Sequence, residues 1–166
     1  DYLVLWWGQQ PVGVLSIDKG GAMHFTYGTE WLADASALPV SQALPKHTEP
    51  YDDALCKAVF GGLLPEEAQR IAVARALGIS PDNPFRLLAA LGGDVAGALS
   101  FLKEGEKPPI FDHKTPPSDP LDDAALLALF ERLPRAPMLA GEEGIRLSLA
   151  GAQSKLPVIL SGAGIR

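Results

Sequence analysis

Short apolar runs alternate with turn signals over the first part of the chain. The runs are rich in β-branched and aromatic residues and cover residues 2–7, 12–17 and 22–27. They are separated by Gly8-Gln9-Gln10-Pro11 and Asp18-Lys19-Gly20-Gly21. Two turns between three such runs predict an antiparallel β-meander. Residues 28–50 show no sustained period, and they are predicted to be mainly loop.

Helical spacing begins at about residue 51. Asp52 and Asp53 precede apolar residues four apart, and Gly61 is placed to end this helix. A second helix is predicted to begin with Pro65 in its first turn. The acidic residues that follow Pro65 support this start, because the helix dipole favours negative charge at the N-terminus. The helix is predicted to end near Gly78. We expect its apolar stripe to face the core and Arg70 to lie on the solvent side; the stripe comprises Leu64, Ala68, Ile71 and Ala72.

The remaining elements are predicted from residues that cap helices and from glycines and prolines that interrupt helices and strands. Asn83 is predicted to cap a third helix that has Pro84 in its first turn and ends at Gly92, and residues 95–102 are predicted to form a strand. Five prolines mark residues 103–120 as a linker: Pro108, Pro109, Pro116, Pro117 and Pro120. Beyond it the pattern predicts an amphipathic helix over 122–133, then a strand, a glycine turn and a strand over 145–149, 150–154 and 155–160. The predicted fold class is therefore α+β.

Composition and charge exclude several classes of protein function. The 166 residues carry a net charge of −6, which disfavours direct nucleic-acid binding. A single cysteine excludes disulfide scaffolds and cysteine-rich zinc knots, and no apolar run reaches the roughly 18–20 residues that span a bilayer. We expect a soluble, cytoplasmic protein that does not act at a membrane. Both ends look cut, because the chain opens within a strand and closes on a turn signal, residues 161–166, after which nothing returns. It is therefore expected to be a piece of a longer protein.

The segment from Ser148 to Lys155 has the composition of an anion-binding loop. Small residues at 150–152 let backbone N–H groups approach a phosphate closely, and Lys155 adds a positive charge. The alternative, which pattern alone favours, is an ordinary hairpin turn. The loop is not a Walker A motif, because the GxxxxGK[ST] spacing is missing.

Other candidate groups have simpler structural explanations. His24, His47 and His113 are far apart in sequence, so a metal site is not expected. Cys56 lies on an apolar helix face and is interpreted as a core residue. Of Trp6 and Trp7, one is expected to pack inward and the other to cover a neighbouring surface. Capping explains three acidic pairs at helix starts, namely Asp52/Asp53, Glu66/Glu67 and Asp122/Asp123.

Three segments taken together resemble one family, the HipA serine/threonine kinases of bacterial type II toxin–antitoxin modules. Residues 60–66, Phe-Gly-Gly-Leu-Leu-Pro-Glu with Arg70 following, resemble the family's F-x-G-L-L-P-E stretch. Residues 91–99 resemble its G-G-D-x-x-G-A segment, and residues 148–155 match S-x-A-G-A-Q-x-K. Order and spacing agree as well, as does Val12-Gly13-Val14-Leu15. The resemblance covers essentially the whole chain.

The resemblance implies a division into residues 1–102 as an α+β subdomain, 103–120 as a linker, and 121–166 as the start of a kinase N-lobe with its Gly-rich loop. It implies that Ser148 is the autophosphorylated serine. It also implies a nucleotide-binding loop made of Ala150, Gly151, Ala152, Gln153, Ser154 and Lys155. Phosphorylation of Ser148 would place negative charge beside the loop, so the loop would be expelled and ATP binding lost.

The chain by itself is not expected to transfer phosphate. Phosphoryl transfer of this kind needs an Asp, an Asn and Mg²⁺ ligands, yet Asn83 is the only asparagine and reads as a cap. We therefore expect no catalytic and no metal-binding residue here, and ATP with Mg²⁺ only in the full-length kinase. The resemblance further implies a HipB-like helix-turn-helix antitoxin as partner and an aminoacyl-tRNA synthetase as protein substrate, typically the glutamyl enzyme.

Two alternatives remain open. One is a stand-alone, non-catalytic module that binds and restrains a separate HipA-like kinase through the helices at 52–77 and residues 85–91. The other is a small α+β domain with no ligand, which does not explain why three specific segments coincide.

Overall fold

The structure is a computed structural model that describes residues 1–93, 95–108 and 121–132, with the backbone of residues 160–161 and 164–165. One antiparallel sheet has the order β3-β2-β1-β4, where β1 is Tyr2–Trp7, β2 is Gln10–Ile17, β3 is Met23–Tyr27 and β4 is Leu99–Leu102. The predicted meander and the α+β fold class are confirmed. The first strand lies inside the sheet, because β4 returns to its free side.

One face of the sheet is buried. Leu5 lies opposite Gly13 on β2 and opposite Phe101 on β4, and Leu15 lies opposite Phe25. The period of two in a strand places the larger apolar residues on this face. They comprise Leu3, Leu5, Leu15, Met23, Phe25, Tyr27, Leu99 and Phe101, all buried. This face of the sheet forms one side of the hydrophobic core.

Within the described ranges, four helices follow the meander and a fifth lies after residue 121. They are α1 (Thr29–Ala33), α2 (Asp53–Gly61), α3 (Glu67–Leu77), α4 (Pro84–Leu91) and α5 (Asp123–Arg132). Helix α2 packs against β3, and α4 packs against β4 and α2. No helix in the described ranges is long and apolar enough to cross a bilayer.

The predicted N-caps are confirmed at the helices where a side chain accepts the capping hydrogen bond. Asp52 accepts a hydrogen bond from the backbone N–H of Leu55 at 3.0 Å, and Asn83 accepts one from that of Arg86 at 3.0 Å. Asp122 does the same for Ala125 at 2.7 Å. Each bond satisfies an N–H group that the first helical turn leaves free.

The segment 28–50, predicted to be mainly loop, contains the short helix α1. Its Trp31 is buried, stacks on Trp7 with ring centroids 6.1 Å apart, and donates from Nε1 to Leu38 O at 3.0 Å. The Tyr27 hydroxyl donates to Leu44 O at 2.6 Å. A five-residue helix has too little length to show a period, so side-chain contacts fix it. As expected, Trp7 of the 6–7 pair covers a neighbouring surface, but the expectation that the other tryptophan packs inward is met only in part, since Trp6 is half-buried.

Two strand predictions need correction. The strand predicted over 95–102 starts only at Leu99, because Gly97 has a φ of +90° that breaks extended pairing. The segment 161–166, interpreted as a turn signal, itself contains a short returning strand, since Leu160–Ser161 pairs antiparallel with Gly164–Ile165. The predicted strand at 145–149, the turn at 150–154 and residues 155–159 lie outside the described residues.

The predicted inner face of α3 is also wrong in part. The helix begins after Glu66, so Pro65 precedes it, and its buried residues are Gln69, Val73 and Ala74. Ala68 is exposed, Ile71 is 42% exposed and Arg70 is half-buried. Facing Val73, Ala74 and the partly buried Leu77 inward removes more apolar surface than facing Ala68, Ile71 and Ala72 inward. This rotation carries Gln69 into the core.

Candidate functional site

The loop residues predicted to bind nucleotide lie outside the described residues. This holds for Ser148 and for Ala150, Gly151, Ala152, Gln153, Ser154 and Lys155. Their roles therefore stay predictions. The two other segments that carry the resemblance lie within the described part, except for residue 94, and the structure brings them together.

Residues 60–65 form a tight reversal between α2 and α3. The Leu63 N–H donates to Phe60 O at 3.2 Å and the Leu64 N–H donates to Gly61 O at 3.2 Å. Leu64 and Pro65 are buried. Phe60 anchors the reversal in the core, with its ring centroid 5.3 Å from that of Phe25 and 5.7 Å from that of Phe101.

Residues 92–93 and 95–97, which include two glycines with positive φ, lie against this reversal. The Ala96 N–H donates to Leu63 O at 3.1 Å, and the Phe101 N–H donates to Gly92 O at 2.9 Å. Gly92 has a φ of +60°, where an L side chain would be strained. These bonds join both segments to the edge strand β4. We call residues 60–65 together with 92–93 and 95–97 the motif junction.

The start of α3, next to the motif junction, is acidic and incompletely bonded. Glu66 holds the N-cap position but makes no side-chain capping hydrogen bond, so the capping explanation fails for this residue. Gln69 is only 7% exposed, and its Oε1 has no hydrogen-bond partner in the described part of the chain. The same is true of Arg70 Nε. A shallow cavity of about 390 Å³ opens here, lined by Glu66, Glu67, Ala68, Gln69 and Ile71.

Sequence reasoning missed Gln69. Its position on the buried side of α3 depends on how the helix is rotated, which the apolar pattern predicted incorrectly. A polar residue four positions before Val73, a residue of the true inner face, was the available signal. The site as a whole is a hydrogen-bonded junction beside an acidic surface whose glutamates form no ion pair in the described part of the chain.

The acidic pair at the start of α2 serves the fold. Asp53 accepts from the Met23 N–H at 2.7 Å and pairs with Lys57 Nζ at 2.7 Å. The Lys57 hydrogen bond, followed by that of Met23, holds the pKa of Asp53 below its usual value. His24 lies 3.8 Å from Asp18 on a half-exposed turn, and His47 packs on the Tyr51 ring at 4.2 Å. His113 lies outside the described residues.

Cys56 is fully buried, as predicted, and its Sγ lies 3.8 Å from Tyr51 O. Burial raises the pKa of its thiol to about 11, so almost no thiolate exists near neutral pH. We expect a thiol reagent such as DTNB to leave Cys56 unmodified in the native protein at pH 8 and to modify it fully in urea. Labelling in native buffer as fast as in urea would contradict this placement.

Known proteins are similar to this chain over a range that includes these segments. A family model described as the HipA N-terminal domain matches residues 3–102. The chain is 49% identical over 162 residues to a Sinorhizobium fredii protein named "Putative kinase Y4mE", covering 95% of this chain and 38% of that protein. It is 28% identical to the serine/threonine-protein kinase toxin HipA of Shewanella oneidensis over 93% of this chain and 34% of that protein.

A solved structure is also similar to this chain. The matching chain belongs to a complex of Shewanella oneidensis HipA, HipB and operator DNA, with a TM-score of 0.68 and 26% identity over 98% of this chain and 37% of that chain. The present chain thus spans 34–38% of the length of the relatives that it matches.

Proposed function

Because this chain belongs to the HipA N-terminal domain family, we propose that it forms the amino-terminal part of an ATP-dependent serine/threonine kinase toxin. The observation that carries the proposal is the extent of similarity. Identity of 49% runs over 95% of the chain, well past residue 102 where the family model ends. The region that holds the Gly-rich loop is thus shared with a kinase-named relative, together with the amino-terminal subdomain.

In this proposal the loop from Ala150 to Lys155 covers the ATP phosphates. Backbone N–H groups beside the small residues contact phosphate oxygens, and Lys155 contributes positive charge. Mg²⁺ and the catalytic carboxylates come from the remainder of the full-length kinase. Phosphorylation of Ser148 adds about −1.5 to −2 charge next to a loop that receives phosphate, so it would inactivate the enzyme.

The partners follow from the relatives. We propose that the protein binds a HipB-like antitoxin, in line with the solved complex of the Shewanella oneidensis proteins. The proposed substrate is an aminoacyl-tRNA synthetase, typically the glutamyl enzyme, whose phosphorylation would arrest translation. The competing candidate is a non-catalytic module that restrains a separate kinase.

Phosphate transfer by the full-length protein tests the proposal. Incubated with radiolabelled ATP and Mg²⁺, the wild type is expected to label itself, Ser148→Ala to lose that label but keep activity toward substrate, and Lys155→Ala to lose activity on the order of 10²-fold. Lys107→Ala, at an exposed lysine remote in sequence from the loop, is the control. Transfer by none of these proteins would overturn the kinase proposal and favour the non-catalytic module.

A further inference from the structure

We infer that residues 103–108 form a strap that is docked along strand β1, and that Gln9 anchors the far end of this strap. In sequence, the strap joins the sheet to the part of the chain that contains the proposed nucleotide loop. The inference rests on the proposed function only in taking that part as a kinase, because the docking depends on contacts of described residues alone. It adds to the proposal that the path out of the amino-terminal subdomain is fixed.

The strap begins with a tight turn after β4. The Glu106 N–H donates to Lys103 O at 3.1 Å, and the Lys103 N–H donates to the Glu106 carboxylate at 3.0 Å. Gly105 has a φ of +85°, a left-handed conformation that glycine adopts without strain. Because β4 is antiparallel to β1, a reversal at this point turns the chain back into the direction of β1.

Two side chains at the ends of β1 hold the strap. At the first residue of β1, a side-chain hydrogen bond with Glu104 raises the pKa of Tyr2. Beyond the last residue of β1, Gln9 Nε2 donates to Pro108 O at 3.0 Å. The two contacts occur in the same order along the strap as along β1. The strap therefore runs beside this strand, from its first residue to the turn that follows it.

The anchored end of the strap is packed against the domain. Pro108 is buried, although residues 103–107 before it are all exposed. A proline has a fixed φ, which reduces the chain entropy that docking must remove, and its carbonyl oxygen is its only backbone hydrogen-bonding group. Gln9 supplies the donor for this oxygen across 99 positions of sequence. A freely solvated linker would leave Pro108 in water.

Docking of the strap shortens the connection between the sheet and the following helix α5. The predicted linker of residues 103–120 has its first part held on the sheet, so the connection to α5 starts at Pro108 and not at Leu102. A shorter connection leaves two joined parts of a chain fewer relative arrangements. We therefore expect the strap to restrict where the kinase part lies relative to the sheet.

Digestion of the full-length protein with the glutamate-specific protease Glu-C, with cleavage sites assigned by mass spectrometry, tests the inference. Glu104 and Glu106 are exposed but lie within the strap, so rapid cleavage after them requires the strap to leave the sheet. We expect Gln9→Ala to speed this cleavage by about threefold or more, because one anchoring hydrogen bond is lost. The matched control is Gln10→Ala at the exposed neighbouring position, which should change the rate by less than about 1.5-fold.

A double variant and an internal reference site sharpen the experiment. Tyr2→Phe combined with Gln9→Ala removes both side-chain contacts, so cleavage within the strap should be about tenfold faster than in the wild type, or more. Glu30 is exposed in helix α1, outside the strap, and cleavage after it reports on a general loss of stability. Its rate should be the same in all variants.

The possible results separate this inference from the proposed function. Equal cleavage rates within the strap for the wild type and Gln9→Ala overturn the inference. An equal acceleration after Glu30 also overturns it, because Gln9 would then stabilise the whole domain and not the strap. The measurement uses no ATP, so a full-length protein that transfers no phosphate overturns the proposed function and leaves the docking of the strap unaffected.

Discussion

Truncation of Phe60 to alanine is expected to lower the free energy of unfolding by about 3–5 kcal/mol. Phe60 is fully buried, and its ring contacts the rings of Phe25 on one edge strand and Phe101 on the other. Its removal leaves a cavity that the packed strands on both sides cannot close. Urea unfolding followed by circular dichroism measures the change.

Leu55→Ala is the matched control for this experiment. Leu55 lies on the same helix α2 but is 39% exposed, so its truncation should cost less than about 1 kcal/mol. Equal losses for the two variants would mean that helix propensity, and not packing of the Phe60 ring, sets the stability of this region.

Replacement of Gly13 by alanine is expected to cost about 3 kcal/mol, the upper end of the usual range for overpacking. A Cβ at this position would lie 2.3 Å from Thr26 O and 2.9 Å from Phe25 Cε2. The first of these is a backbone carbonyl of the paired strand β3, which cannot rotate away. Relief of the clash would have to separate β2 from β3, so Tm should fall sharply in a thermal scan.

Gly61→Ala controls for the added methyl group and for chain entropy. Gly61 ends α2, and a Cβ there meets nothing within 4 Å. This variant should be neutral or more stable by about 0.5–1 kcal/mol. If Gly13→Ala unfolded at the same temperature as Gly61→Ala, the tight approach of β2 and β3 would be wrong.

Local patterns predicted the elements whose causes are local. Alternation in the first 27 residues gave the meander, and Asp52, Asn83 and Asp122 marked helix starts because their side chains bond to neighbouring N–H groups. Helix α1 was missed because its N-cap, Gly28, provides no side-chain bond and its stability comes from the contact of Trp31 with Trp7.

At the candidate site, too, the sequence predicted local features and missed those that depend on long-range contacts. The resemblance singled out residues 60–66 and 91–99 as segments, but their meeting depends on the bond from Ala96 to Leu63, which is long-range in sequence. The rotation of α3 is likewise decided by what packs on it, so the buried Gln69 could not be found from an apolar stripe that also fitted Ala68 and Ile71. The roles of Ser148 and of residues 150–155 stay predictions.

The pairing of β1 with β4 also determines when the domain can be completed during synthesis. Tyr2–Trp7 leaves the ribosome before its partner Leu99–Leu102, which emerges roughly 95 residues later. Closing so long a loop is entropically slow, and until then β1 is an open edge beside an unfinished core. A nascent chain that stalls before residue 102 would present that edge to chaperones or to other chains. The limit of the family model at residue 102 therefore coincides with the point at which this sheet first becomes whole.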